Sequence, residues 1–236
     1  MIMNGQVSGV LFDIGGVLVA LDGVPSLARL LQIEASHEEI HKLWVACPSV
    51  VLHETGRISA QEFAERVVAD LQLPRSPDAF LLEFANWLEA PHSGAFDLVE
   101  RIPGTYRVAA LSNMSPLHWN RVKAMGLPER FEATYVSHEI GYLKPSQEAF
   151  QVALDGMALP PAQVLFLDDG AANVRAAGAL GIKAHVVKNP EQARVVLESY
   201  GVLTVPTALP YVTSCDQGHH GQPTERTSSP LQVVRR

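Results

Sequence analysis

Asp13 closes the apolar run Val10-Leu11-Phe12 and is followed at once by Ile14-Gly15-Gly16. A carboxylate at the end of a segment patterned for burial is not explained by packing, so Asp13 is a candidate nucleophile or metal ligand. Two more apolar runs end in polar groups. Val108-Ala109-Ala110-Leu111 leads into Ser112-Asn113, and Val164-Leu165-Phe166-Leu167 leads into the adjacent acids Asp168-Asp169. Between them, Gly141-Tyr142-Leu143-Lys144-Pro145 places a lysine in a loop, with proline fixing the local chain direction. Brought together, these residues offer a nucleophilic carboxylate, a hydroxyl and an amide for oxygen binding, an ammonium, and a carboxylate pair for a divalent cation.

Continuous apolar runs of this length read as strands covered on both faces. Their last residues then lie at the carboxyl edge of a sheet, where open α/β folds place their sites. Gly15 and Gly16 let the chain turn sharply and leave room for a ligand near the backbone. From residue 107 onward, strand and helix patterns alternate. Strands are expected at 107–111, 133–136, 164–167 and 184–187, and helices at 116–125, 146–157, 171–180 and 191–200. Such alternation means parallel strands joined by helical crossovers. The stretch 171–181 is rich in alanine and glycine, which predicts a helix packed close to the sheet. Between residues 22 and 91 the pattern is helical only, with apolar residues at helical spacing over 26–32, 37–44, 60–71 and 77–88. Ser59, with Glu62 three residues later, fits a capping box.

Asp13, Ser112-Asn113, Lys144 and Asp168-Asp169, in that order, resemble the four motifs of the haloacid dehalogenase superfamily, in particular its phosphatases with a small helical cap. The spacing of Phe131, Ser137, Gly141, Lys144-Pro145 and Phe150 is also similar to the surroundings of the third motif. The resemblance extends over residues 8–200. It implies an α/β fold: a Rossmann-like, doubly wound parallel sheet core formed by residues 1–21 and 92–203. The inserted α-helical cap would be residues 22–91. The loop His53-Glu54-Thr55-Gly56-Arg57-Ile58-Ser59 is similar to one in the caps of sugar-phosphate phosphatases, where Arg57 would meet a substrate anion.

Phosphoryl chemistry explains the demand for these groups. A phosphate monoester repels an attacking carboxylate unless a cation and preorganised donors neutralise its charge. The resemblance implies that Asp13 attacks phosphorus and that water then hydrolyses the aspartyl-phosphate. Mg²⁺ would be held by Asp13, the Gly15 carbonyl and one or both of Asp168 and Asp169; the resemblance implies Asp169 as a direct ligand and Asp168 as one either directly or through water. Lys144 would pair with Asp13 and the phosphate, while Ser112 and Asn113 donate to the transferring oxygens. One position departs from the pattern. Most phosphatases of the superfamily carry a second aspartate two residues after the nucleophile as general acid, and here that residue is Gly15. Asp22, at the entry to the helical block, is the substitute the sequence offers. Two other readings stay open: a 2-haloacid dehalogenase, which also lacks that aspartate but needs no metal, and a non-catalytic binding domain on the same scaffold.

The chain has 236 residues, of which 47% are hydrophobic and 18% charged, enough for one sizeable core with an insertion. A net charge of −7 and scattered aromatics argue against a nucleic-acid binder. The partner expected is a small phosphorylated metabolite, acting on a monomer or homodimer. No apolar window reaches the length of a membrane helix, and no leader pattern precedes Asp13. Cys47 and Cys215 stand far apart in no metal or redox spacing, which with the rest suggests a reducing, cytoplasmic setting. His118 and His138 lie near motif positions but read as packing histidines. Residues 204–236, with Cys215, His219 and His220, lack periodicity and are expected to form a mostly disordered tail.

Overall fold

A computed structural model describes residues 6–204, so Cys215, His219 and His220 lie outside the described residues. In chain order the first elements are β1 (Gly9–Phe12), β2 (Val19–Leu21), α1 (Gly23–Leu31), α2 (His37–Ala46), α3 (Pro48–Glu54), α4 (Ala60–Asp70), α5 (Pro77–Ala85) and β3 (Leu88–Pro91). They are followed by α6 (Ala95–Glu100), β4 (Arg107–Ser112), α7 (Pro116–Ala124), β5 (Ala133–Val136), α8 (Ser137–Ile140) and α9 (Gln147–Met157). The last are β6 (Val164–Asp168), α10 (Ala171–Ala179), β7 (Lys183–Val186) and α11 (Pro190–Ser199).

Five strands form one parallel sheet in the order β5-β4-β1-β6-β7. The chain leaves the central β1 for β4 and β5 on one side, then returns to β6 and β7 on the other. That reversal opens a crevice at the carboxyl end of β1. Side chains of the three inner strands alternate between two packed layers. Val10, Phe12, Val108, Ala110, Leu165 and Leu167 face one layer with α6, α7 and α11. Leu11, Ala109, Leu111, Val164 and Phe166 face the other with α9 and α10. Burial on both faces is why these strands are apolar without alternation, and each large side chain sealed this way contributes about 1.5–3 kcal/mol.

The register levels the reactive ends. Phe12 pairs with Ala110 of β4 and with Leu167 of β6, and the Asp13 N–H donates to the Leu167 carbonyl at 2.8 Å. Asp13 therefore emerges beside both Leu111-Ser112 and Asp168. On α10, Ala177 and Ala176 pack against the sheet as the small-residue pattern suggests, but a Cβ on Gly178 would meet nothing within 4 Å. That glycine is not required by close packing.

The segment from α1 to α5 has a core of its own, built on Phe63, Phe80, Phe84 and Trp87. Aromatics scattered along the sequence converge here, with Phe63 and Phe84 in ring contact with each other and each with Trp44 and His53. β2 and β3 pair antiparallel at the two ends of the segment, so its entrance and exit lie together. The pattern read as helix to residue 88 instead stops at Ala85 and turns into β3. Ser59 does cap α4, accepting from the Glu62 N–H, but the Glu62 carboxylate turns to Arg66 instead of closing a box. The reciprocal box belongs to Ser36 and Glu39 at the start of α2.

Candidate active site

Asp13, Asp168 and Asp169 each present a carboxylate oxygen, and these atoms lie within 4.8 Å of one another. Lys144 reaches the group from its loop, buried with only 4% of its surface exposed. Its Nζ donates to Asp168 Oδ2 at 2.6 Å and to the Leu111 carbonyl at 2.8 Å, and it stands 3.0 Å from Asp13 Oδ1. The three ammonium protons thus all have acceptors. The Lys144–Pro145 peptide is cis.

The supporting bonds are specific. Ser112 Oγ donates to Asp13 Oδ1 at 2.8 Å, and the Ile14 N–H donates to the same oxygen at 2.7 Å. Asn113 donates from Nδ2 to the Lys144 carbonyl and accepts the Lys144 N–H at Oδ1, both at 2.8 Å. The Asn113 side chain therefore fixes the lysine loop, where the sequence suggested a donor to the substrate. Asp168 is fully buried; Lys144 takes one of its oxygens, while the Gly170 N–H and Asn173 Nδ2 take the other at 2.7 and 2.9 Å. Asn173 was not singled out from sequence; the signal available was an amide in the first turn of the helix after the strand-end acids. Asp169 is the exposed member of the pair.

The glycines divide their work. Gly16 has φ +76°, and a Cβ there would fall 2.4 Å from Asp169 Oδ2. Gly15 lies outside the left-handed region, and a Cβ on it would meet only Leu21 Cδ2 at 3.6 Å, an ordinary contact. Gly16 alone needs glycine's freedom in this turn.

Electrostatically the cluster carries more negative charge than its one ammonium balances. Burial raises the Asp13 carboxyl to about 7, Lys144 pulls it down, and Asp168 and Asp169 push it up again. Asp169 is raised by burial and by Asp168. Burial works against a charged Lys144, yet Asp13 and Asp168 hold its ammonium above the ordinary range. Two like charges about 4 Å apart repel by about 4 kcal/mol at an effective dielectric constant of ~20. A divalent cation held among these oxygens would relieve that repulsion and favour the ionised form of Asp13. The donors are all hard oxygens, which suits Mg²⁺. Among the described residues, no backbone donor takes the Gly15 carbonyl.

Among the described residues, two sequence candidates make no bond to this cluster. Asp22 is paired with Arg29 at 2.5 Å and accepts from Ser26 at 2.9 Å. The Arg29 guanidinium holds its carboxyl below the usual range, so Asp22 has no proton to give at neutral pH. This corrects the expectation that it replaces the missing acid. Arg57 is exposed on the turn after α3 and has no ion pair among the described residues. The packing histidines do more than fill space. His118 of α7 joins the Phe84 carbonyl of α5 at 2.7 Å, and His138 of α8 joins the Met114 carbonyl at 2.8 Å.

Residues 7–181 match the family model described as haloacid dehalogenase-like hydrolase. The chain belongs to that family. It is 23% identical over 200 residues to D-ribitol-5-phosphate phosphatase of Bacteroides thetaiotaomicron, covering 78% of this chain and 93% of the relative. A family enzyme from the same organism, in complex with magnesium and inorganic phosphate, superposes with a TM-score of 0.64 at 26% identity, over 77% of this chain and 94% of that one. L-2-haloacid dehalogenase from Xanthobacter autotrophicus shares the fold, with a TM-score of 0.56 at 20% identity over 83% of each chain. The sheet and its flanking helices are thus those of a haloacid dehalogenase-like hydrolase. Among the described residues, no helix is long and apolar enough to cross a membrane.

Proposed function

We propose that this hydrolase is an Mg²⁺-dependent phosphatase acting on a small phosphomonoester through an aspartyl-phosphate on Asp13. The observation that carries the reading is the convergence of Asp13, Asp168 and Asp169 around one buried lysine. Mg²⁺ bound by Asp13, Asp169 and the Gly15 carbonyl supplies charge neutralisation for an anionic substrate. Asp168, whose oxygens are engaged by Lys144, Gly170 and Asn173, would add its negative charge beside the ion. Asp13 Oδ2, free of the Ser112 and Ile14 bonds that hold Oδ1, is the attacking oxygen. Lys144 keeps Asp13 oriented and presents positive charge to the transferring phosphoryl group. The Asn113 main-chain N–H, which has no acceptor among the described residues, donates to one of its equatorial oxygens, while the Ser112 hydroxyl stays on Asp13 Oδ1 and the Met114 N–H on Ser137. The alcohol leaves, and water attacks phosphorus to free Asp13.

The helices α1–α5, between the paired strands β2 and β3, serve as the cap over this site, on a core of residues 1–21 and 92–203. The relative's substrate makes a polyol or sugar phosphate the first class to test here. A dehalogenase needs to admit a carboxylate substrate without a metal, and the exposed Asp169 beside Asp13 repels one. The deciding experiment compares p-nitrophenyl phosphate and a panel of phosphorylated metabolites with Mg²⁺ and with excess chelator, alongside a 2-haloacid. Hydrolysis that needs Mg²⁺ supports the proposal; metal-free halide release overturns it.

A further inference from the structure

We propose that Leu21 and Gly15 form an apolar lip against which the ester oxygen leaves without a proton from the protein. The substrate class that follows is a phosphomonoester whose leaving group is stable as an anion and apolar beside the ester oxygen, as in an aryl phosphate; this rests on the phosphatase reading above. The floor of the site is closed, because Asp13, Ser112, Lys144 and Asp168 are all buried. The leaving group therefore departs on the open side of Asp13. The turn after Asp13 reaches solvent: Gly15 and Gly16 are half-buried, and Leu21, at the end of β2, is 49% exposed. That turn is fixed by its own bonds. The Gly16 N–H donates to the Val19 carbonyl at 2.8 Å, and the Leu18 and Val19 N–H groups both donate to the Ile14 carbonyl at 2.9 Å. Leu21 Cδ2 is held 3.6 Å from the place a Cβ on Gly15 would take. Two residues after the nucleophile there is thus no side chain, although the backbone would accept one, and a methyl of Leu21 stands in the adjacent space.

The polar groups around the nucleophile are already committed. The Ser112 hydroxyl donates to Asp13 Oδ1, and Lys144 Nζ serves Asp13, Asp168 and the Leu111 carbonyl. The oxygens of Asp168 face Lys144, the Gly170 N–H and Asn173, and Asp169 is a metal ligand in the reading above. Asp22 follows Leu21 directly, but its carboxylate is bound by Arg29 and Ser26. An alkoxide leaves slowly without a proton, since general acid catalysis typically contributes about 10²- to 10⁴-fold. A phenol ionises near pH ~10 and needs no such help. In the step proposed, the bond from Asp13 Oδ2 to phosphorus forms as the ester P–O bond breaks. The electron pair leaves on the ester oxygen, and the free anion takes its proton from bulk water afterwards. The Leu21 methyls give the departing ring an apolar contact in place of a hydrogen bond.

The test measures kcat/KM with Mg²⁺ for p-nitrophenyl, phenyl and acetyl phosphate and for two primary alkyl esters, n-pentyl phosphate and D-ribitol 5-phosphate. In the wild type p-nitrophenyl phosphate should exceed both alkyl esters by about 10²- to 10⁴-fold, the factor a general acid would supply. Phenyl phosphate in H₂O and in D₂O should give kcat/KM values that differ well below about 2-fold, because no proton moves as the ester bond breaks. Leu21→Ala should lower kcat/KM for phenyl phosphate about 3- to 10-fold relative to acetyl phosphate, whose leaving group carries no ring, as expected for lost apolar contact. The proposal is overturned if either alkyl ester is hydrolysed as well as p-nitrophenyl phosphate, or if D₂O slows phenyl phosphate about 2-fold or more. Equal losses on phenyl and acetyl phosphate in Leu21→Ala overturn the contact assigned to Leu21. In each of these cases the phosphatase reading stands. If none of these phosphates is hydrolysed, that reading fails and the unassisted departure falls with it.

Discussion

The α-carbon of Gly16 faces the carboxylate of Asp169 so closely that a single added methyl would lie 2.4 Å from Oδ2. The turn after β1 and the acids after β6 are thus fitted to each other, and the absent side chain at residue 16 is what lets Asp169 lie against the nucleophile's turn.

Gly16→Ala should therefore displace Asp169 and strain a backbone at φ +76°. The expected loss is larger than the roughly 0.4–1 kcal/mol by which a replacement at a compatible glycine stabilises, and turnover should require much more Mg²⁺. Gly15→Ala, whose Cβ meets only Leu21, should keep stability within about 1 kcal/mol. Urea denaturation of the two variants, with a Mg²⁺ titration of Gly16→Ala, checks this. Equal stability in both would mean that the two glycines do not differ as described.

Lys144→Met leaves Asp13 and Asp168 without their shared cation in a buried site. Breaking a buried pair from one side typically costs about 3–5 kcal/mol. The loss should shrink as the pH falls and the carboxyls take up protons. A variant within about 0.5 kcal/mol of wild type at pH 8 would show that Lys144 does not neutralise the cluster.

How much of this was legible in advance depends on the residue. The three inner strands announced themselves because burial on both faces demands unbroken apolar runs, and their register follows from parallel pairing. Asp13, Ser112, Asp168 and Asp169 could then be assigned to one edge, while Lys144, which lies in a loop, was placed there by the resemblance. The short strands β2 and β3 were hidden, since their pairing joins the two ends of a long insertion and three or four residues carry little periodicity. α3 was missed because it begins at Pro48 directly after α2, with one residue between them. The engagements of Asn113 with Lys144 and of Asp22 with Arg29 are tertiary or side-chain choices that residue type alone leaves open.

His118 provides a stability switch with a defined sign. Burial pushes its imidazole down to about 4, and its Nε2 bonds to Phe84. The unfolded chain takes up the proton first, near the ordinary 6.5. The neutral ring's contribution is therefore complete above that value and is lost as the pH falls towards 4. Between pH 7 and pH 5 the loss is about 2 kcal/mol. Asp13 and Glu54, raised to about 7, act in the opposite sense as the pH rises through the acidic range. Comparison with His118→Gln isolates the histidine: the variant's stability should fall less over this interval. Identical pH dependence in the two proteins would contradict the assignment.

The most direct test of the account is the mass of the Asp13 peptide after rapid acid quench of turnover with Mg²⁺ and a hydrolysed phosphomonoester. The wild type should show a transient gain of one phosphoryl group on Asp13. Asp13→Asn, nearly isosteric but a poor nucleophile, should show neither that gain nor turnover. Phosphate release by the wild type with no phosphoryl group on Asp13, together with substantial activity in Asp13→Asn, would contradict the central claim that this carboxylate attacks phosphorus.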